Sequence, residues 1–148
     1  MSAIVLPCMV DTISRIGGDI DLLHVDGTSG LTIDPKVSII WMHVKAPGEK
    51  GEIVGQVISS AKTQDAYQMG FGFWKQLMEG TMSNNEYTNQ PTGTFVHNIR
   101  RPSHLNVQAT MTDKEQALIG ALKESINPTH QILCRFHTLQ ALSNKVSY

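Results

Sequence analysis

Three side chains in the last part of the chain have the chemistry of zinc ligands. His130, Cys134 and His137 lie at i, i+4 and i+7, so a helix would carry them on one face. Cys8 could complete the set as a fourth ligand. Zinc sites usually show closer ligand pairs, and no acidic side chain shares this stripe. In the alternative interpretation, Cys134 packs as a small apolar residue and the two histidines lie at an interface or in solvent.

Two further patterns could support catalysis, and neither is specific. Asp19 and Asp21 flank Ile20 in a predicted strand, which places both carboxylates on one sheet face. Paired carboxylates can do acid–base chemistry, but acidic strand residues near a turn are more often simply solvated. The Gly-Phe-Gly sequence at 70–72 lacks the strand–loop–helix context of a phosphate loop. We therefore predict a protein that is not an enzyme and uses no metal or other cofactor, with a zinc enzyme as one alternative hypothesis.

Polar and apolar residues alternate strictly between positions 104 and 110. This alternation predicts a strand with one face on a core and one face in water. The apolar face would carry Leu105, Val107 and Ala109, and the polar face His104, Asn106, Gln108 and Thr110.

Side chains on other predicted strands extend this polar face. Amides can hydrogen-bond base edges, histidine can stack on a base, and arginine or lysine can bind phosphate. The alternative is an ordinary solvated face, which is normal for an antiparallel sheet. We predict an RNA-binding surface that comprises Lys36, Ser38, Arg100, Arg101, His104, Asn106, Gln108 and Thr110, with His43, Lys45, Gln56, Ser60 and Lys62 on the same polar sheet face.

Turn signals divide the first half of the chain into short strands. A Gly-Gly-Asp turn at 17–19 separates Ile4–Ile16 from Ile20–Val25, which predicts an N-terminal β-hairpin. Lys36–Lys45 and Glu52–Lys62 flank a Pro-Gly loop and predict a second hairpin. Strands joined by such short gaps form antiparallel sheets.

The C-terminal third predicts two amphipathic helices. Thr112 and Glu115 have the spacing of a capping box at the start of the first helix. Asn127-Pro128 would end it and begin the second. The two apolar stripes are Ala117, Leu118, Ala121, Leu122 and Ile126, and then Ile132, Leu133, Phe136, Leu139 and Leu142.

The middle of the chain predicts less structure. Gly70 and Gly72 disfavour a helix at the start of Ala66–Gly80, so that only Phe73–Glu79 is expected to form two turns. A polar loop follows, and Thr94–Arg101 predicts a further strand.

Bulk composition limits the class of protein. The chain has 148 residues, a formal charge of -1, 41% hydrophobic and 17% charged residues, which indicates one folded domain over 1–148. No basic surplus marks a strong nucleic-acid binder, so RNA binding would depend on local clustering. Two cysteines are too few for a disulfide framework, and no signal peptide or membrane span is predicted. We expect a soluble protein made inside the cell.

This order of elements resembles the coat proteins of small single-stranded RNA bacteriophages. The residues 103–110, Ser-His-Leu-Asn-Val-Gln-Ala-Thr, are similar to the last strand of that family. The residues 112–117, Thr-Asp-Lys-Glu-Gln-Ala, resemble the start of its first helix, and Tyr148 fits a common ending. Lys36–Lys62 would correspond to its central hairpin.

The resemblance implies a fold and a function. The fold would be α+β: an N-terminal β-hairpin and an antiparallel sheet followed by two C-terminal α-helices, which two subunits exchange to form an obligate homodimer. Dimers would close into an icosahedral shell in the virion, after synthesis in the host cytoplasm, and would bind a genomic RNA hairpin on the inner sheet face and so repress translation. Asn106 would contact RNA, His104 would replace a stacking Tyr, and Lys36 and Ser38 would face RNA. A small α+β ligand- or partner-binding domain is the other alternative.

Overall fold

The computed structural model describes residues 2–29, 34, 36–44, 51–80, 101–113, 115–135, 139 and 142–143. These residues form an α+β fold, as predicted, with one sheet and three helices. The strands are β1 (Ser2–Ile4), β2 (Asp19–Ser29), β3 (Ser38–Val44), β4 (Glu52–Ser59), β5 (Asn106–Thr112) and β6 (His130–Leu133). The helices are α1 (Pro7–Arg15), α2 (Gln64–Glu79) and α3 (Gln116–Ser125).

The six strands follow the order β1-β4-β3-β2-β5-β6 across the sheet. β1 with β4, β4 with β3, and β3 with β2 pair antiparallel, so the predicted hairpin of β3 and β4 is confirmed. β5 pairs parallel with β2 and with β6. The prediction of a purely antiparallel sheet is therefore wrong on this side. Helix α3 supplies the crossover that a parallel β5–β6 pair needs.

The predicted N-terminal hairpin is wrong, because a helix replaces most of its first strand. Met9, Val10 and Ile13 are buried on one side of α1, and Pro7 occupies the first turn, where its missing N–H costs no hydrogen bond. The turn itself was predicted correctly. Gly17 and Gly18 both adopt positive φ (69° and 84°) and lead the helix, rather than a strand, into β2.

Helix α2 is longer than the sequence predicts. Its buried residues Tyr67, Phe71, Trp74 and Met78 recur at helical spacing over its whole length. Burial of this stripe outweighs the low helix propensity of its glycines. The Thr63 hydroxyl caps the helix start by accepting from the Ala66 N–H at 3.3 Å.

The C-terminal prediction is half right. Helix α3 is confirmed, and Leu118, Ala121 and Leu122 are buried in the core of the same chain. An exchange of helices between subunits is thus not required to cover this stripe. Strand β6 replaces the first part of the predicted second helix, since Asn127 at φ 53° turns the chain back to β5. The predicted strand Thr94–Arg101 lies outside the described residues except for Arg101, which is not in a strand.

The hydrophobic core lies between the sheet and the helices. Trp74 is fully buried, and its Nε1–H donates to the Val54 carbonyl at 2.9 Å. Its ring lies directly over Gly55, next to the β-bulge that shifts the β3–β4 register between Met42 and His43. No helix in the described part of the chain is long and apolar enough to cross a bilayer.

The contact between Trp74 and Gly55 leads to a first prediction. A Cβ at position 55 would overlap the Trp74 ring and lie 2.7 Å from Met42 Cε. Gly55→Ala should therefore destabilise the fold by about 1–3 kcal/mol. Gly72→Ala is the matched control: it meets nothing within 4 Å on α2 and should stabilise the fold by up to ~1 kcal/mol. Urea unfolding measures both, and equal effects would contradict the role of this contact.

Candidate interaction surfaces

The predicted RNA-binding strand exposes part of its polar side chains. His104, Asn106 and Gln108 are exposed, but Thr110 has no exposed surface. The prediction that Thr110 faces solvent is wrong. The buried positions of β5 switch from the odd-numbered Val107 to the even-numbered Thr110 and Thr112. The buried positions of β2 switch in the same way, from Ile20 to Leu23, and these residues pair with Val107 and Thr110.

Ser38 is also wrongly predicted to face outward. It is 3% exposed, and its hydroxyl lies 3.3 Å from the Tyr67 hydroxyl beneath α2. Lys36 is exposed, but at the other end of the sheet from Asn106. Asn106 pairs with the first residue of β2, and Ser38 with the last, so about 33 Å of strand separates them. One small RNA site cannot include both ends.

Arg101 has a local structural partner. Its guanidinium donates to the carbonyl of Leu77 in the last turn of α2, and its stem packs beside Gly80. A cation at this helix end also interacts favourably with the helix dipole. Arg101 therefore caps α2. Arg100 lies outside the described residues.

The exposed residues of β5 lie beside carboxylates. Asn106 Nδ2 donates to Asp19 Oδ1 at 3.1 Å, and the exposed Asp21 follows on β2. His104 Nδ1 lies 3.1 Å from the Ser103 hydroxyl. A phosphate placed here would approach two negative charges, which opposes binding.

The helical stripe on which the alternative zinc hypothesis depends is not formed, because His130 is not on a helix. His130 begins β6, and Cys134 follows the end of that strand. His137 lies outside the described residues, and Cys8 is exposed on α1. Among the residues that the structure describes, no three His, Cys, Asp or Glu side chains lie close enough to hold a metal ion.

The sheet carries a second surface, which was not predicted as a unit from the sequence. In β3 the buried residues alternate with half-exposed Ile39, Trp41 and His43. We call the half-exposed or exposed side the open face. Strand pairing arranges it in four rows: Ser2, Ile58, Ile39 and Thr28; Ile4, Gln56, Trp41 and Asp26; Ile53, His43, His24, Met111 and Ile132; and Leu22, Ala109 and His130.

Nine of the sixteen residues of the open face are apolar, and Asp26 is its one carboxylate among the described residues. It contains no lysine or arginine in this part of the chain. Ile4, Ile53 and Ile132 are 38%, 40% and 42% exposed. The face ends at Ile20 and Val107, a cross-strand pair in which both residues are buried. The available sequence signal was the Ile-Ile-Trp-Met run at 39–42, because a strand that is apolar on both sides has two faces to cover.

Two histidines lie at the centre of the open face. His24 and His43 are direct cross-strand partners, with ring centroids 6.1 Å apart. His24 Nε2 is buried and has no hydrogen-bond partner. Burial lowers the pKa of His43 below 6.5, and the neighbouring His24 lowers it further, while Asp26 opposes the shift. Both burial and His24 therefore favour the uncharged form of His43.

A buried hydrogen-bond network connects the helices to the sheet. The Tyr67 hydroxyl donates to Glu115 Oε1 at 2.8 Å and lies within hydrogen-bonding distance of Ser38. Burial and the nearby carboxylate raise the pKa of Tyr67 to about 12. The network joins β3, α2 and the start of α3, and it fixes the helix layer on its side of the sheet.

Comparisons with models of known protein families and with curated protein sequences found no match to this chain. Its family is therefore not shown by sequence similarity, and the resemblance to phage coat proteins stays a prediction.

The Tyr67 network predicts an alkaline stability change. Above pH 10 the phenol ionises in the unfolded chain but stays protonated in the folded chain until about pH 12. Stability should be unaffected by this group below pH 10 and should fall between pH 10 and 12. Urea unfolding across that range measures the loss.

Tyr67→Phe is the corresponding variant. It removes the donor to Glu115 and should cost about 1–2 kcal/mol at pH 7. It should also make unfolding less sensitive to pH above 10 than in the wild type. An undiminished alkaline loss in this variant would assign the effect to other groups.

Proposed function

We propose that the chain is a non-catalytic structural protein that associates with copies of itself, and specifically a coat subunit of an RNA-containing icosahedral virion, made in the host cytoplasm. The observation that carries the proposal is the open face. Its six strands, ~4.8 Å apart, and its rows, ~6.7 Å apart, give an area on the order of 500 Å². This area is the footprint of the whole face, in which nine of the sixteen residues are apolar, and contiguous exposed apolar patches of a few hundred Å² are often functional.

Self-association is supported by what the surface lacks as well as by what it carries. In the described residues, no cluster of titratable side chains forms a metal site, and the predicted polar residues lie at opposite sheet ends. The open face, in contrast, brings side chains from all six strands into one continuous area. A contact between proteins can use such an area without any further chemistry.

RNA binding is the finer part of the proposal. It is supported by the resemblance of residues 103–110 to the last strand of the coat-protein family, and by the exposure of His104, Asn106 and Gln108. Because Asp19 and Asp21 lie beside these residues, binding there would depend on base contacts more than on phosphate contacts.

A domain that binds a different protein is the second candidate, and the same open face favours it. The two differ in the partner. A coat subunit forms uniform particles when it is expressed alone, whereas a partner-binding domain stays small until its partner is added.

Expression of the full chain, followed by electron microscopy and light scattering, tests the proposal. We expect uniform particles with an absorbance spectrum that shows bound RNA. Trp41→Asp should reduce assembly at least about tenfold, because it places a charge in the centre of the open face. Met69→Asp is the matched control on α2, where Met69 is 54% exposed, and should assemble normally. A wild-type protein that stays monomeric at high micromolar concentration would contradict the proposal.

The RNA part has its own variant. His104→Ala together with Gln108→Ala should lower the RNA content of the particles and leave their number unchanged. Gln68→Ala, an exposed amide on α2, is the control. Unchanged RNA content would remove the role of this strand.

A further inference from the structure

We infer that two copies of the chain pack open face against open face, and that the His24–His43 pair makes this contact separate on acidification. The inference rests on the proposed self-association. It adds that the open face is the contact surface and that low pH dissociates the dimer. Sheets that pack face to face lie ~10 Å apart and interdigitate their side chains.

The charge of the open face favours a second copy as its partner. A polyanion such as RNA needs lysine or arginine, and the described part of the open face has neither. A strongly basic partner would find one carboxylate, Asp26. When two copies pack together, the apolar side chains of each face are removed from water by the other. A chain with a formal charge of -1 also has little self-repulsion.

The size of the open face sets the strength of the contact. Its area, on the order of 500 Å², is below the ~800 Å² that each partner of a stable complex usually buries. The dimer should therefore be reversible at micromolar concentration. A contact this weak can be broken by a change of one or two charges.

The histidine pair provides that change. His24 and His43 lie between Ile53 and Met111 in the third row, so a second sheet would cover them with apolar side chains. Neutral imidazoles tolerate such burial, whereas two imidazolium ions 6.1 Å apart would be desolvated and would repel each other. The dimer thus binds fewer protons than two monomers, and its affinity falls as the pH falls.

Other charged groups near the pair do not supply this response. On β2 the acidic residues are Asp19, Asp21 and Asp26, and Asp26 raises the pKa of His43, which opposes the shift that burial causes. On β4, Glu52 is held by Thr12 at 2.6 Å and by Arg15 at 3.1 Å. Neither β3 nor β5 carries a carboxylate or an ammonium group, and His130 lies at the outer edge on β6.

Tryptophan fluorescence can report this surface directly. The chain has two tryptophans, and Trp74 is fully buried, so iodide quenching reports on Trp41. At pH 7.5 we expect Trp41 to become protected from iodide as the protein concentration rises. Sedimentation equilibrium on the same samples gives the dissociation constant, which should be at least about tenfold higher at pH 5.0. Circular dichroism at both pH values verifies that the fold is intact.

The variant His24→Gln with His43→Gln keeps two neutral polar side chains and removes the titration. Its dissociation constant should change less than about twofold between pH 7.5 and 5.0. Lys123→Gln, which removes an exposed cation on α3 away from the open face, is the control and should keep the wild-type response. If the double variant does not fold, His43→Gln alone should still reduce the response.

Each contrary result identifies what fails. A wild-type dimer with no pH dependence, or a double variant that keeps it, overturns the role of the histidines and leaves self-association intact. A dimer in which Trp41 stays open to iodide overturns the face-to-face contact alone. A chain that remains monomeric at pH 7.5 overturns both this inference and the proposed function.

Discussion

The position of Trp74 over Gly55 determines which side of the sheet the helices cover. A side chain at position 55 would keep the indole away from the strand, and the β-bulge beside it turns the Val54 carbonyl toward Nε1. Helix α2 is thereby held against β4, and α3 packs on α2. The Tyr67 network then ties this helix layer to β3. Because the described helices are committed to this layer, the other side of the sheet keeps its apolar rows half-exposed.

The packing of the helices on one side of the sheet therefore also accounts for the open face on the other side. In a sheet covered on one side, the strands usually alternate apolar and polar residues. Strand β3 does not: two of its three half-exposed residues, Ile39 and Trp41, are apolar. A sequence retains such a pattern at a cost in solubility unless a second surface covers it. In the described part of the chain nothing covers these apolar rows completely, and the proposed self-association would supply that cover.

The parts of this structure that local patterns specify could be predicted from sequence. The β3–β4 hairpin and α3 each have a clear period, and both are confirmed. The predicted capping box is wrong, because Thr112 ends β5 and Glu115 is the N-cap of α3 without a side-chain hydrogen bond. Helix α2 and strand β6 could not be predicted in this way. Burial of its apolar stripe stabilises α2 despite two glycines, and parallel pairing with β5 stabilises β6. The prediction of the RNA-binding residues was wrong in part for a related reason. Alternation predicts which residues share a face, but not that this face is exposed at Asn106 and Gln108 and covered at Thr110.

The parallel pairing of β2 with β5 has a consequence for the order of events during synthesis. It joins residues 19–24 to residues 106–111. The centre of the sheet therefore cannot form until a strand more than eighty residues further along the chain has been synthesised. Contacts so distant along the chain form slowly, since a long loop must close before they gain any free energy. Until Met111 takes its place beside His24, the third row is incomplete. The open face of a nascent chain is therefore unfinished until β5 has been synthesised and has paired with β2.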